Sequence, residues 1–281
     1  MEQLKIKMTK EIDYDSILSS IKSNPVGKYI IEKLDLNDED IKKNYALINA
    51  YIADNEPCFV CKSKKDCKHY SKGYQYNLTK DEQGFIDNCI SICKFYESYY
   101  QKEKNLVYTT FNKDNLLDEG QKSFLVDNIK LLGSDFVKQI IKIIKKEQNV
   151  GAFLVLKDSK LRLKLIQSLA NELLLEHKVM IVKFTDYIKE IKKDFKNSEL
   201  LDMAFESEIL IIDGLGSESI SSWSRDEILL SILDSRLQSE KVTILCSEFD
   251  VDELNKIYRL NANDEAKSKQ IINKIKEIIN S

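Results

Sequence analysis

The sequence predicts an α/β protein in two parts, a mainly helical cysteine-bearing half followed by a half built on a buried parallel sheet. Three observations predict it. Glycine and proline are scarce, 8 and 2 in 281 residues, which favours helix and excludes collagen-like, proline-rich and linker-like chains. Five of the six cysteines fall between Cys58 and Cys93. From residue 151 onward, short apolar runs alternate with amphipathic stretches, the signature of strand–helix crossovers and a parallel sheet. A hydrophobic content of 43% supports a sizeable core.

Charge narrows the function classes. Lys+Arg 43 against Asp+Glu 46 leaves a net charge of -3, so no global field draws the chain to nucleic acid, and any such contact must be local. The N-terminal residues show no uninterrupted apolar stretch of the signal-peptide kind. No run reaches the ~18 apolar residues of a membrane span. The chain is therefore expected to be cytoplasmic, with no membrane partner, and in that compartment clustered cysteines point to metal before disulfides.

Residues 1–56 read as helices, because Ile17, Leu18, Ile21, then Tyr29, Ile30, Leu34, then Ile41, Tyr45, Ile48 and Ile52 recur at three- and four-residue steps. Asn24-Pro25 breaks the first pair, since proline disfavours helical geometry at the preceding residue. Asn37 is the expected N-cap of the next helix, with Asp38, Glu39 and Asp40 in its first turn. A polar stretch at about 94–105 reads as a helix leading to a domain junction, giving domains 1–105 and 106–281. Residues 106–149 read as helical, with Phe136, Val137, Ile140, Ile141 and Ile144 on one face. The strand-like runs are Ala152–Leu156, Val179–Phe184, Ile209–Asp213 and Val242–Cys246, with a helix over 161–177 between the first two.

Cys58-x2-Cys61 followed by Cys67 places three thiols within ten residues, between Pro57 and a lysine-rich stretch. Two cysteines separated by two residues bind one metal from a single turn, and tetrahedral zinc needs two further ligands. Cys67 is the third candidate. Cys93 is the preferred fourth, with Cys89 and His69 as competitors. Lys62, Lys64, Lys65 and Lys68 are expected to favour thiolates. A structural Zn²⁺ is predicted, because nothing nearby reads as a general base beside an open coordination position. His177, between Glu176 and Lys178, reads as a solvated helix-end residue.

The run Phe153–Leu156, the stretch Lys157–Lys160 and the start of the following helix form the frame of a phosphate-binding loop. Such a loop needs glycines whose N–H groups curl around phosphate, a lysine for the outer phosphates and a hydroxyl for Mg²⁺. At those positions stand Leu156 and Leu161, Arg162 and Leu163. Lys160 and Arg162 are the cationic groups left. Asp213 ends the third run where an aspartate can hold Mg²⁺, but Gly214 follows instead of the second acid that orients an attacking water. A carboxylate capping a turn is the plainer reading of Asp213.

These residues carry a family likeness. Residues 151–258 resemble the AAA+ domain of the DnaI/DnaC family of bacterial replicative-helicase loaders. The likeness rests on Ser168-Leu169-Ala170-Asn171-Glu172-Leu173, on Ile211-Ile212-Asp213-Gly214-Leu215-Gly216-Ser217-Glu218 and, most specifically, on Ser222-Trp223-Ser224-Arg225-Asp226-Glu227. With the cysteine run it extends over roughly residues 40–280. It implies a P-loop-like AAA+ domain behind a zinc-binding, helicase-contacting domain, binding of a hexameric replicative helicase in the primosome, contact with single-stranded DNA, ATP with Mg²⁺, and loader oligomers. In that family a Gly-Tyr-His adds a zinc ligand; here Gly73-Tyr74 runs into Gln75, and Cys89 or Cys93 would replace it. The sensor positions also depart, with Ser247-Glu248 and Gln270. The reading is a helicase loader that has become a pseudo-ATPase. An active ATPase with an unconventional loop and an IstB-like transposition helper are the alternatives.

Three further residues complete the expectations. By the same resemblance Arg225 would reach a neighbouring subunit's nucleotide as an arginine finger, against an ion pair with Asp226 or Glu227. Trp223, the sole tryptophan, reads as a core anchor. Lys189, Lys192, Lys193 and Lys196 form a basic tract that either tracks phosphates or is a solvated helix face.

Overall fold

The computed structural model describes residues 13–117, 124–145, 151–193 and 199–280. The chain divides into two compact units, Met1–Glu97 and Ser98–Ser281.

The first unit opens with α1 (Tyr14–Ser23), α2 (Pro25–Leu34), α3 (Asp38–Lys43) and α4 (Tyr45–Phe59). Asn24 both ends α1 and caps α2: its carboxamide oxygen accepts from the N–H of Val26 and Gly27 at 2.8 and 3.2 Å, with Pro25 at the first helical position, where its missing N–H costs nothing. Asn37 caps α3 and Asp40 closes the capping box. A hairpin follows, β1 (Tyr74–Lys80) against β2 (Ile86–Ile92), in register from Tyr74↔Ile92 to Lys80↔Ile86. Asp81 closes the turn by accepting from the N–H of Gln83 and Phe85. Leu78 and Ile86 face inward onto Ile30, Ile41 and Ile48 to form the core.

The second unit begins in α5 (Glu97–Asn105) and runs straight into β3 (Leu106–Thr109), then α6 (Lys113–Leu117), α7 (Phe124–Asp127), α8 (Ile129–Leu132) and α9 (Ser134–Ile144). Next come β4 (Ala152–Val155), α10 (Ser159–Leu173), β5 (Val179–Lys183), α11 (Phe184–Lys193), α12 (Glu199–Glu206), β6 (Ile209–Asp213), a π-helical segment Trp223–Leu229 continuing as α13 (Leu230–Gln238), β7 (Val242–Ser247), α14 (Val251–Ile257) and α15 (Glu265–Asn280). The strands form one parallel sheet in the order β3-β5-β6-β7-β4.

Every residue of β6 and β7 is buried, as a sheet covered on both faces requires. Two apolar clusters lie on its faces. One gathers Met180, Val182, Leu210, Ile212 and Leu245 with α11, α13 and α15; the other gathers Ile181, Ile211, Ile244 and Leu154 with α9 and α10. The alternation of neighbouring strand residues between the clusters is the period-two rule of a strand. One expectation is corrected here, and one element is added. Residues 106–109 form the edge strand β3 instead of helix, because Leu106-Val107-Tyr108-Thr109 is β-branched and aromatic and pairs with Val179–Ile181. The cysteine region holds a seven-residue-stranded hairpin, which its apolar–polar alternation specifies. Among the described residues no helix is long and apolar enough to cross a membrane.

A self-filled phosphate site and a cysteine cavity

The C-terminal ends of β4, β6 and β7 converge at one edge of the sheet, with Val155 level with Ser247 and Asp213 level with Cys246. Only Leu156, Lys157 and Asp158 separate β4 from α10. Residues 159–161, which a phosphate-binding loop leaves free to curl, are already wound into helix. Asp158 is the N-cap: one carboxylate oxygen accepts from the N–H of Lys160 at 2.9 Å and of Leu161 at 3.1 Å. These are the orphan donors that a helix N-terminus would otherwise offer an anion.

Arg162, one turn in, is 6% exposed, as is Asp213. Its Nε donates to Asp213 Oδ1, and its Nη1 donates to the Leu156 carbonyl at 2.7 Å. The cation that stands at the lysine position is thus spent inside the protein, and so is the carboxylate at the metal position. Lys160, at the second position of α10, is exposed, as is Lys157 in the connection before it. Asp213 is therefore more than the turn cap that its sequence position allowed. At the sensor positions, Ser247 Oγ donates to the Leu215 carbonyl at 2.6 Å, Glu248 accepts from Ser217 Oγ at 3.1 Å, and Gln270 lies half-buried on α15.

The loop after β6 is shaped by Gly214 and Gly216, both at positive φ (75° and 87°). Glu218, buried behind it, accepts from Gly216 N–H at 2.8 Å and from the Tyr258 hydroxyl at 3.0 Å. Burial raises its carboxyl above the ordinary value against those two hydrogen bonds.

Arg225 makes the ion pair with Asp226 that stood beside the finger reading. Its side chain is 2% exposed. Nε and Nη2 donate to the two oxygens of Asp226 at 2.7 and 2.8 Å, and Nη1 donates to Asp264 at 2.5 Å and to the Tyr258 carbonyl at 2.9 Å. A guanidinium engaged on both edges is a clasp between the π-helical segment and the α14–α15 connection. Hydrogen bonding to Asp226 and then Asp264 raises its pKa further, and the same contact holds Asp264 below the usual carboxylate range. Trp223 packs partly buried on the core, and Lys192 sits over its ring at 5.3 Å. The basic tract is largely neutralised: Lys189 pairs with Asp186 at 3.0 Å and Lys193 with Glu190 at 2.7 Å. Lys196 lies outside the described residues.

Two buried polar groups escaped the sequence reading. Lys102 is fully buried and donates to Asn171 Oδ1 at 2.6 Å, while Asn171 Nδ2 donates to the Leu116 carbonyl at 3.1 Å. Arg236, also fully buried, donates to Thr243 Oγ1 and to the carbonyls of Ala204, Ser207 and Val242. His177, expected to be solvated, is only 15% exposed and lies 3.3 Å from Glu208.

In the first unit, Cys58, Cys61, Cys67 and Cys93 line one cavity of ≈ 430 Å³ with His69 and Gln75. Cys58 lies in the last turn of α4, one position after Pro57. Cys61 follows by a turn whose N–H returns to the Cys58 carbonyl at 3.2 Å, Cys67 ends a short 3-10 turn, and Cys93 leaves β2 with its N–H on the Gly73 carbonyl at 2.9 Å. All six cysteines are free thiols. Gln75, where a Gly-Tyr-His run would place histidine, hydrogen-bonds Cys58. Burial, outweighing that bond and joined by Cys93, Cys67 and Cys61, raises the Cys58 thiol.

Among the described residues no three His, Cys, Asp or Glu side chains close to a metal-binding set. The donor chemistry nevertheless fits zinc, since four thiols share one cavity. Of the competitors, Cys89 is exposed on β2, paired with Asn77. His69 lies 3.0 Å from Asp54 through Nε2, though off the angle of a good hydrogen bond, and takes the Ser71 N–H on Nδ1.

No protein-family model matches the chain. A curated protein does: "Replicative helicase loader DnaI" of Bacillus subtilis (strain 168) is 26% identical over 262 residues, spanning 90% of this chain and 80% of that protein. Among solved structures, "Crystal Structure of the DnaI" aligns with TM-score 0.50 at 22% identity over 63% of this chain and 93% of that one. "Crystal structure of the DnaC helicase loader" aligns at TM-score 0.41 and 19% identity, over 50% of this chain and 84% of that one.

Proposed function

We propose that this chain, whose likeness to the DnaI/DnaC family is carried by the match across both of its units, is a replicative-helicase loader working as an ATP-independent assembly factor. It docks on the hexameric replicative helicase through the cysteine-bearing unit and assists loading on single-stranded DNA without hydrolysing ATP. The single observation supporting the loss of nucleotide chemistry is the filled cradle: Arg162 bonded to Asp213 and Leu156, with Asp158 on the helix N-terminus. A triphosphate would have to displace one carboxylate and approach another, against like charge and desolvation. Leu163 offers no hydroxyl to Mg²⁺, and Gly214 no second acid.

Zinc belongs to the same proposal. Cys58, Cys61, Cys67 and Cys93 would hold it as thiolates. The ion would supply cross-linking of α4, the 3-10 turn and the end of β2, and so folding energy.

Full-length protein mixed with its cognate replicative helicase should co-elute on size-exclusion chromatography equally with and without Mg·ATP, and should show no ATP turnover alone. Elemental analysis should find one zinc per chain, lost in Cys58→Ser. Turnover, or co-elution that requires ATP, would restore the reading of an active ATPase with an unconventional loop. A failure to co-elute under either condition would remove the loader role.

A further inference from the structure

The Arg162–Asp213 pair joins two parts of the sheet that are not neighbours. Arg162 rides on α10 directly after β4, while Asp213 ends β6, and β7 lies between those two strands. Nη1 of the same guanidinium holds the Leu156 carbonyl at 2.7 Å, so one buried side chain fixes the β4–α10 connection and the end of β6 together. Asp158 fixes the first turn of α10 from the other side, taking the N–H of Lys160 and Leu161. In a nucleotide-binding α/β site this bridging across the sheet edge is made by phosphates and a metal ion, whose loss releases it.

We infer that in this chain the bridge is supplied by the protein's own side chains: the Arg162–Asp213 pair, with the Asp158 cap, replaces the ligand mechanically and holds the sheet edge in a single state that no nucleotide switches. The inference rests on the pseudo-ATPase reading and adds a conformational consequence to it. Charge balance favours it, since one guanidinium against one carboxylate is neutral as it stands. Removal of either partner would strand the other at 6% exposure, which is costly for an ion. A loader whose site is closed in this way carries no timing signal of its own, and its release from a partner has to be driven by that partner or by DNA.

Hydrogen exchange followed by mass spectrometry on the full chain tests this, at the segments 156–165 and 209–216. In the wild type, exchange at both segments should be the same with and without Mg·ATP. Arg162→Met should speed exchange at both together by about tenfold or more, the scale set by losing one partner of a buried pair. Asp213→Asn, which keeps the shape and removes the charge, should do the same to a smaller degree, and guards against a misfolded Arg162→Met. The double variant Arg162→Met/Asp213→Leu should recover much of the protection, because neither ion is then left alone. If Arg162→Met and Asp213→Asn exchange like the wild type while ATP still has no effect, the inference is overturned and the pseudo-ATPase reading stands. If Mg·ATP slows exchange in the wild type, the pseudo-ATPase reading falls and the inference falls with it.

Discussion

Replacing Arg236 by methionine should destabilise the second unit by about 3 kcal/mol while leaving the first untouched. Arg236 is fully buried on α13. It makes four hydrogen bonds of 2.9 Å or less, to Thr243 Oγ1, Ala204 O, Ser207 O and Val242 O. They pin the end of α12 and the starts of β6 and β7 to one point. At about 1.5 kcal/mol for each bond to a charged group, the gross loss is about 6 kcal/mol. Methionine keeps most of the apolar stem and also removes an ion whose burial outweighs the attraction of Glu206, which returns several kcal/mol of desolvation. The balance, about 3 kcal/mol, places the change among the severe single substitutions. Equilibrium unfolding in urea, followed by tryptophan fluorescence, isolates the effect: Trp223 is the sole tryptophan and belongs to the second unit. Arg236→Lys should lose most of the same stability, since a single ammonium cannot fork to acceptors on three elements. A loss below about 1 kcal/mol for Arg236→Met would mean that water or backbone movement satisfies those carbonyls, and would refute the clasp.

The other expectations concern the site itself. Arg225→Ala should lower the urea midpoint of the second unit and leave the ATPase rate of any ATP-competent loader mixed with it unchanged; a normal midpoint with a reduced mixed rate would reinstate the finger. Asp264 is held below its ordinary 3.8 by Arg225. Its contribution is therefore complete above that value and disappears as pH falls through the lowered one, so the acid side of the stability profile should flatten in Arg225→Gln, measured by thermal melts across pH 2 to 6. Asp158→Ala should cost about 1 kcal/mol as a lost N-cap, read from the same urea titration; no change would show that water caps α10 equally well. Gly216→Ala should cost roughly 1–3 kcal/mol, since φ is 87° and an added Cβ would stand 2.6 Å from Leu254 Cδ2; a melt within a degree of wild type would show that Leu254 simply moves aside.

The legible parts of this protein are those where a local rule and the tertiary environment agree. The runs at 152, 179, 209 and 242 are strands because they are uniformly apolar and end at Lys183, Asp213 and Ser247, where the sheet meets solvent or polar loop. Asn24 and Asn37 cap as their positions require. The hairpin Tyr74–Ile92 has a readable pattern in Tyr74, Tyr76 and Leu78 alternating with polar residues, but cysteines and lysines interrupt the apolar signal on both sides of it. β3 was hidden because four residues at an edge carry too little pattern to stand out beside a helix.

The broken phosphate loop was legible from missing glycines, and Gln75 in place of histidine from a three-residue comparison. What fills each gap was not. That Arg162 turns inward to Asp213, 51 residues on, that Arg225 also reaches Tyr258 and Asp264, 33 and 39 residues on, or that Arg236 reaches back to Ala204, 32 residues earlier, depends on tertiary contacts that nothing in the local sequence fixes. Lys102 against Asn171, 69 residues on, is the same kind of hidden pair.

The early start of α10 bears on what a phosphate-binding loop would require of this chain. With Ser159 already helical four residues after Val155, new glycines, a lysine and a threonine would not suffice. The first turn would have to uncoil, give up its aspartate and yield its amides to an incoming anion.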